Sequence, residues 1–540
     1  MYSPKTIFLA SIAGAVFLTR IVPQYAPFSS LFLTFFVLFI SQFTTWFAWA
    51  CVLWPKYFSP LNKLPQPKES SFLFGQFPKI SRETNGAPMR EWVSTIPNEG
   101  LIRYTHIFNA DRVLITSPNA LREVLVTKNY EFIKPPQFRT GLGQLLGIGV
   151  LLAEGEEHKR QRKLLMPAFA FRHIKDLYPT FWAKAHEVVE AMTQAISHPK
   201  SEDTDPAIVD VSNWASRVTL DIIGVAGMGH DFNAVQDPTS DLNQCYRDIF
   251  QPTRGGQILG LLGAFLPGWV IQNLPIKRTK QIQQARKIIR KVCFDLIAKK
   301  RVKLEKGEST DKDILSVSIQ SGGFSDEDLV NQLMTFLAAG HETTASAMAW
   351  MAYTMCKYPE VQQRLREEIR GSLPSIGDAG STVSSTEIDN LPYLHAVCNE
   401  IMRAYPSVPV TLRIAVEDAT ILGNFIPKGT SIILSPWAIN SSKELWGEDA
   451  KEFNPDRWMG PGMANTGGAE SAYSNLSFLH GPRSCIGKDF AKAEFACLVA
   501  AWVGRFDMHF ADEGYVLDIA GGITVKPKGL KVRMKAVEGW

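Results

Sequence analysis

Residues 478–487 read Phe-Leu-His-Gly-Pro-Arg-Ser-Cys-Ile-Gly, and no other stretch constrains the fold as tightly, because it reads as a pocket for one thiolate bound to one metal. Cys485 is that sulfur. A soft anionic ligand with an open coordination position opposite it points to heme iron and oxygen chemistry. Residues 486–502 carry a helix-period apolar pattern, which places the sulfur at a helix N-terminus, where the dipole favours the ionised thiol. Gly481 and Gly487, without Cβ atoms, let the backbone bend and approach a flat macrocycle. Phe478 walls the sulfur from water, and Arg483 offers a bidentate partner for a propionate. A lone cysteine in a turn is usually a small core residue; the Phe, the two glycines and the Arg at these offsets argue against that here.

Two further segments carry chemistry. Glu400 and Arg403 stand three apart in the apolar-periodic run 394–405, so they share a helix face. Alone such a pair is commonplace and weak, but Phe453-Asn454-Pro455-Asp456-Arg457-Trp458 downstream supplies a second arginine. A long helix is predicted to start at Ser325: it is a good N-cap, Asp326, Glu327 and Asp328 suit the positive end of the dipole, and Phe324 and Leu329 form a hydrophobic staple. The apolar run 329–355 is interrupted by Ala338-Ala339-Gly340-His341-Glu342-Thr343-Thr344, poor helix design of the kind expected at a functional site. Thr343 is placed to bond back to the Ala339 carbonyl and open a local groove. A zinc-protease HExxH would need histidine where Ala345 stands.

The cysteine segment matches the signature FxxGxRxCxG of the cytochrome P-450 family, the heme-thiolate monooxygenases, at each fixed position. Residues 338–344 resemble that family's (A/G)Gx(D/E)T motif and residues 453–458 its PxR segment. The resemblance runs over about residues 60 to 535 and implies a mainly α fold with small β-sheets, holding heme b and fed electrons from NADPH by a separate reductase. It makes Cys485 the axial iron ligand and puts Ala339 and Gly340 at the oxygen groove. Thr343 and Glu342 become the alcohol and acid that deliver protons to the distal oxygen. Glu400, Arg403 and Arg457 become a buried triad locking the segment that leads to Cys485. Residues 155–163 look like the helix in which a ring and an arginine four residues later reach one propionate: His158, where Trp is commoner, and Arg162. Arg413 matches a further propionate arginine, and Lys159, Arg160, Lys163 and Lys488 suit a basic proximal surface for an acidic reductase. Leu479 and His480 stand where small residues are usual, placing a titratable ring near the thiolate loop.

At 540 residues a generic expectation is three or four domains, yet the motifs run from about 155 to 487 without a boundary, so one large catalytic domain, residues 58–540, is expected behind an anchor at 1–57. Residues 420–434 and 516–534 read as strands, and 198–206, 372–387 and 459–475 as surface loops. No charged residue occurs between Arg20 and Lys56, and residues 31–53 are apolar and long enough to cross a bilayer, with Trp46, Trp49 and Trp54 toward one end. Lys56, Lys63 and Lys68 follow, which by the positive-inside rule leaves the catalytic part in the cytosol at an endoplasmic reticulum membrane. Residues 7–19 read equally as a signal-peptide core, a hairpin partner or an interfacial helix. Leu64-Pro65-Gln66-Pro67 resembles the proline-rich hinge of microsomal members, and Asn440 and Asn475 fit the glycosylation pattern without being expected to carry glycans.

A net charge of +4, with basic residues spread rather than striped, gives no case for nucleic acid. Seven scattered cysteines suggest a reducing compartment, with Cys51, Cys245, Cys293, Cys356, Cys398 and Cys497 packing as small apolar residues. By family position, residues 133–152, 251–269, 408–412 and 519–524, with Phe336 and Ala339, line the distal pocket; they are mostly apolar, which suits a lipophilic substrate such as a terpenoid, polyketide or alkaloid intermediate. The N-terminus and the FxPxRW spelling look most like fungal members, which places the expected reaction in specialised metabolism. The competing classes are a heme-thiolate isomerase or dehydratase that uses no dioxygen, a xenobiotic or fatty-acid oxidase, and a heme sensor or membrane scaffold. No GxGxxG strand-turn-helix unit is present to take electrons from NADPH directly.

Overall fold

Ser325 starts the helix around which the molecule is built. Its hydroxyl accepts from Asp328 N at 3.1 Å while Asp328 Oδ2 accepts from Ser325 N at 3.2 Å, a reciprocal box that satisfies two otherwise unpaired donors. The helix Asp326–Lys357 is apolar nearly all round from Leu329 to Met355 and buried along that length, as a central helix must be. Helices Val211–Ile222, Lys277–Glu305, Pro392–Ala404 and Lys488–Arg505 pack against it. Ser325→Ala is expected to cost about 1 kcal/mol, read as a lower urea midpoint at unchanged slope, whereas Ser325→Asp, which keeps an accepting oxygen, should hold the wild-type midpoint.

The computed structural model describes residues 4–540 except 198–204, 251–254, 257–258, 260–261, 263–267, 308–312 and 379. The expected loop at 198–206 and pocket segment at 251–269 therefore fall largely outside the described residues. The described chain is mainly helical with small sheets. The largest sheet runs Leu101–Thr105, Asp111–Ile115, Ser431–Leu434, Thr411–Ala415, Phe132–Ile133. Its one parallel pair sets Val113 beside Ile432, and its antiparallel pairs set Leu101 opposite Ile115, Leu412 opposite Ile433 and Ile133 opposite Ile414. Val532–Ala536 joins Ile208–Val209 to Phe506–Phe510, and two hairpins, Ala419–Ile421 with Asn424–Ile426 and Ile519–Gly521 with Val525–Pro527, complete the β structure.

The strands expected in 420–434 and 516–534 are present. Leu422 (φ 49°) and Gly423 (φ 75°) occupy the corner of a hairpin that breaks the run 420–434 into separate strands. The hairpin 101–115 gave no strand signal, because Leu101–Thr105 is buried on both faces and so lacks the polar alternation of a half-exposed strand.

At the N-terminus, Pro4–Arg20 and Leu31–Ala48 form a helical hairpin in which Phe8 meets Phe35 and Phe39 edge-on at 5.5 and 6.0 Å. Residues 7–19 are thus a hairpin partner. The second helix continues through Trp49–Phe58 and is the one helix among the described residues long and apolar enough to cross a membrane. Arg103 holds its end: Nη2 donates to Pro55 O at 2.6 Å, Nη1 to Gln66 Oε1 at 2.8 Å and Nε to Asp111 Oδ1 at 2.8 Å, while its own amide donates to Pro65 O at 2.9 Å. Asn109 Nδ2 adds bonds to Cys51 O at 2.7 Å and Phe72 O at 2.8 Å.

Candidate active site

The cysteine loop is closed by its own backbone: Cys485 N donates to Phe478 O at 2.9 Å. Within it Leu479 and Gly481 take φ of 55° and 74°, and a Cβ at Gly481 would lie 2.2 Å from Leu125 O. Gly481 is thus required at least by the close pass of another protein segment. Gly487, at φ −91°, caps the helix Lys488–Arg505 in a conformation open to any residue. Phe478 is half-buried and Arg483 buried. The Cys485 side chain is accessible yet deeply set, so burial pushes its thiol up, against the Gly487 N–H, Arg162 and Lys488, which favour the thiolate. A bound metal would add to the groups that favour the thiolate. His480 turns aside, with Nε2 2.9 Å from Asn475 O and its ring 4.7 Å from that of Tyr473.

The loop is fastened from below. Glu400 and Arg403 are fully buried, paired in a fork with Arg403 Nε to Glu400 Oε2 at 2.8 Å and Nη2 to Oε1 at 2.7 Å. Arg457 Nε reaches Oε1 at 3.2 Å, and Asn454 N and Trp458 Nε1 donate to the same carboxylate at 2.8 and 3.0 Å. Arg403 spends its remaining donors on the carbonyls of Asn440, Ala450 and Glu452. Asn440, itself wholly buried, passes the connection on: its Nδ2 donates to Ser477 Oγ at 2.9 Å and its Oδ1 accepts from Leu476 N at 2.8 Å. A residue so enclosed is no glycan acceptor.

Above the loop lies an imbalance of charge. Lys134, Arg413 and Arg483 are buried and close enough to repel one another, with Arg162 and His158 at their edge. Burial, then Arg483, pulls Arg413 down to about 10, and burial with Arg413 takes Lys134 well below its usual range. Burial and these same cations drop His158 to about 4, leaving a neutral ring whose Nδ1 is 3.1 Å from Tyr130 OH. Glu154 is the carboxylate among them, accepting from Lys134 N at 3.0 Å and ion-paired with Arg483. Arg483 Nε and Nη1 are buried without a hydrogen-bond partner. Buried cations in excess of their counter-ions are costly, and a ligand bringing two carboxylates answers both the charge and the unused donors. Arg162 is held on the loop itself, Nη1 to Ser484 O at 2.7 Å.

In the long helix, Thr343 Oγ1 donates to Ala339 O at 2.8 Å, the back-bond expected from the sequence, and Thr344 Oγ1 reaches Glu494 Oε2 on the cysteine helix at 3.0 Å. Gly340 is where the crossing segment comes nearest: a Cβ there would lie 2.9 Å from Ile223 Cγ1. Glu342 is buried and accepts at Oε1 from Thr524 Oγ1 at 3.1 Å, with Lys526 Nζ 3.6 Å from the same oxygen.

Comparison with known proteins decides what this geometry belongs to. The cytochrome P-450 family profile matches residues 65–534. The chain is a cytochrome P-450. It is similar to cytochrome P-450 monooxygenase sphH of Aspergillus fumigatus, 46% identical over 96% of each chain. It is also similar to monooxygenase FUM15 of Gibberella moniliformis, 42% identical over 91% of each, and to monooxygenase ALT8 of Alternaria alternata, 40% identical over 92% of this chain and 93% of that one. Membership makes it a heme-thiolate oxidoreductase of the monooxygenase type that draws electrons from a redox partner and acts on a lipophilic compound.

The residues present fit the cofactor of a cytochrome P-450: Cys485 for the iron, and Arg162, Arg413, Arg483 and Lys134 with neutral His158 for the propionates. Glu154 was not among the expected site residues, and Lys134 was expected only within the pocket segment 133–152, not at the propionates. A single lysine and glutamate far apart in sequence carry no motif, and only the fold brings them beside Arg483. Two of the four cations expected at a reductase face are paired with carboxylates of their own helix. Lys159 is paired with Glu156 at 2.5 Å and Arg160 with Glu157 at 2.7 Å, so Lys163 and Lys488 carry most of what remains.

Proposed function

We propose that this cytochrome P-450 is a membrane-anchored monooxygenase of the endoplasmic reticulum. Residues 1–57 serve as anchor and residues 58–540, in the cytosol, take electrons from NADPH through a separate NADPH-cytochrome reductase. Its work is to hydroxylate, epoxidise or otherwise oxidise a lipophilic small molecule in specialised-metabolite biosynthesis. The observation that carries this reading is the intact acid and alcohol on the long helix: Thr343 anchored at the Ala339 carbonyl, and next to it Glu342, buried but in reach of the partly exposed Lys526. Heme bound at Cys485 supplies dioxygen activation, and oxygen cleavage to water needs two protons that the protein must deliver. Thr343 presents a hydroxyl beside the groove at Ala339 and Gly340, while Glu342 holds and replenishes the proton. Arg413 and Arg483 orient the macrocycle through its carboxylates, and Phe478 screens the sulfur. An isomerase or dehydratase that uses no dioxygen has no need of the Glu342–Thr343 pair.

Comparing metabolites from cells with and without the gene would supply the product. Turnover under labelled dioxygen with NADPH and a reductase should then place one labelled oxygen in it and the other in the water formed, and label absent from every product removes the reading. Thr343→Ala is expected to lower product per NADPH by on the order of 10²-fold, with the lost electrons appearing as hydrogen peroxide.

A further inference from the structure

We propose that Lys526, together with Thr524, is the positioning pair by which the hairpin Ile519–Pro527 holds Glu342, and that the Lys526 ammonium is the solvent end of its proton route. The inference rests on the reading of Glu342 as a proton carrier. Thr524 directly precedes the strand Val525–Pro527 and Lys526 is its middle residue, so the two side chains come from one short stretch. Both reach one oxygen, Glu342 Oε1, at 3.1 Å from Thr524 Oγ1 and 3.6 Å from Lys526 Nζ.

The residue between them is fixed on three sides. Val525 N donates to Ser407 O at 3.0 Å, and Val525 O accepts from Ser346 Oγ at 2.7 Å and Trp350 Nε1 at 2.9 Å. Ser407 Oγ in turn donates to Thr343 O at 2.8 Å. The same short stretch therefore grips the carboxylate of Glu342 and, through Ser407, the carbonyl of Thr343. The two sides of the ion pair meet water unequally: the Glu342 side chain is 6% exposed and that of Lys526 31%. His341 cannot serve this role, since its Nδ1 is taken up by Leu337 O at 2.6 Å and its ring lies at 4.8 Å against that of Tyr246. Each proton that Glu342 passes inward is replaced from water at Lys526, which returns the carboxyl to its starting state without net change of charge.

The test uses the full-length holoprotein with reductase and NADPH and no organic substrate. Dioxygen is then reduced either to hydrogen peroxide, at one NADPH per dioxygen, or to water, at two. Lys526→Met is expected to raise the peroxide share severalfold and enlarge the solvent deuterium effect on water formation, whereas Lys526→Arg, which keeps the ion pair but holds its proton too tightly to relay it, should keep the wild-type amide exchange of the hairpin while still raising the peroxide share. Thr524→Val should move both in the same direction by less, and it serves if Lys526→Met fails to retain heme. Hydrogen exchange at amides 519–527 reports whether the hairpin has loosened. Faster exchange with an unchanged peroxide share and isotope effect in both variants would make the pair merely structural and overturn the proposal. A wild-type peroxide share in Glu342→Gln would instead overturn the reading beneath it.

Discussion

Cys485→Ala protein is expected to lose the long-wavelength Soret band of its reduced carbon monoxide complex completely, and all product formation with it. That band reports a thiolate on the iron, and the loop presents no second sulfur. The other six cysteines lie outside it, and burial pushes Cys293, Cys356, Cys398 and Cys497 further from ionisation. The variant should still fold around the site, since the bond that closes the loop runs from the Cys485 backbone to Phe478 O, and the triad grips residues upstream. Cys485→Ser restores nearly the lost volume with a hydroxyl far harder to ionise, so it should recover heme content without the band. A Cys485→Ala protein that keeps the band would remove this residue from the iron.

Glu400→Ala is expected to be the most damaging substitution outside the loop. It leaves the buried Arg403 without its counter-charge, leaves Arg457 with Asp449 alone at 2.8 Å, and leaves Asn454 N and Trp458 Nε1 without their acceptor. Removing one partner of such a cluster costs about 3–5 kcal/mol, a large share of the roughly 5–15 kcal/mol that holds a typical domain folded. The damage has a direction. Arg403 orders Asn440, and Asn440 holds Leu476 and Ser477 just ahead of the cysteine loop. Heme per polypeptide should therefore fall before helical circular dichroism does, with Glu400→Gln intermediate because it keeps the acceptor shape without the charge. Full heme content in Glu400→Ala would show that the triad does not lock this loop.

What the sequence made legible follows contact range. The Ser325 cap, the Thr343 back-bond to Ala339 and the Glu400–Arg403 fork all lie within four residues, where spacing along one helix dictates who meets whom. Arg457 came within reach through its motif. The partners of Arg483 did not: Lys134 and Glu154 arrive from strand-end and helix-start positions that only the folded chain brings together. The same limit hid Thr524 and Lys526, which lie more than 180 residues from Glu342, and the doubly buried strand Leu101–Thr105. For Gly481 the limit is again one of contact range. Sequence tells that Gly481 must lack a side chain, but the neighbour that demands it, Leu125 O, is invisible there.

Arg103 joins three parts of the chain: the last turns of the apolar helix at Pro55, the proline-rich stretch at Pro65 and Gln66, and the first two strands through Asp111. One guanidinium thus acts as a rivet through a joint. The apolar helix is thereby tied through a single side chain to the sheet whose fourth strand bears Arg413, so losing that one side chain unfastens the helix end, the proline-rich stretch and the sheet edge together.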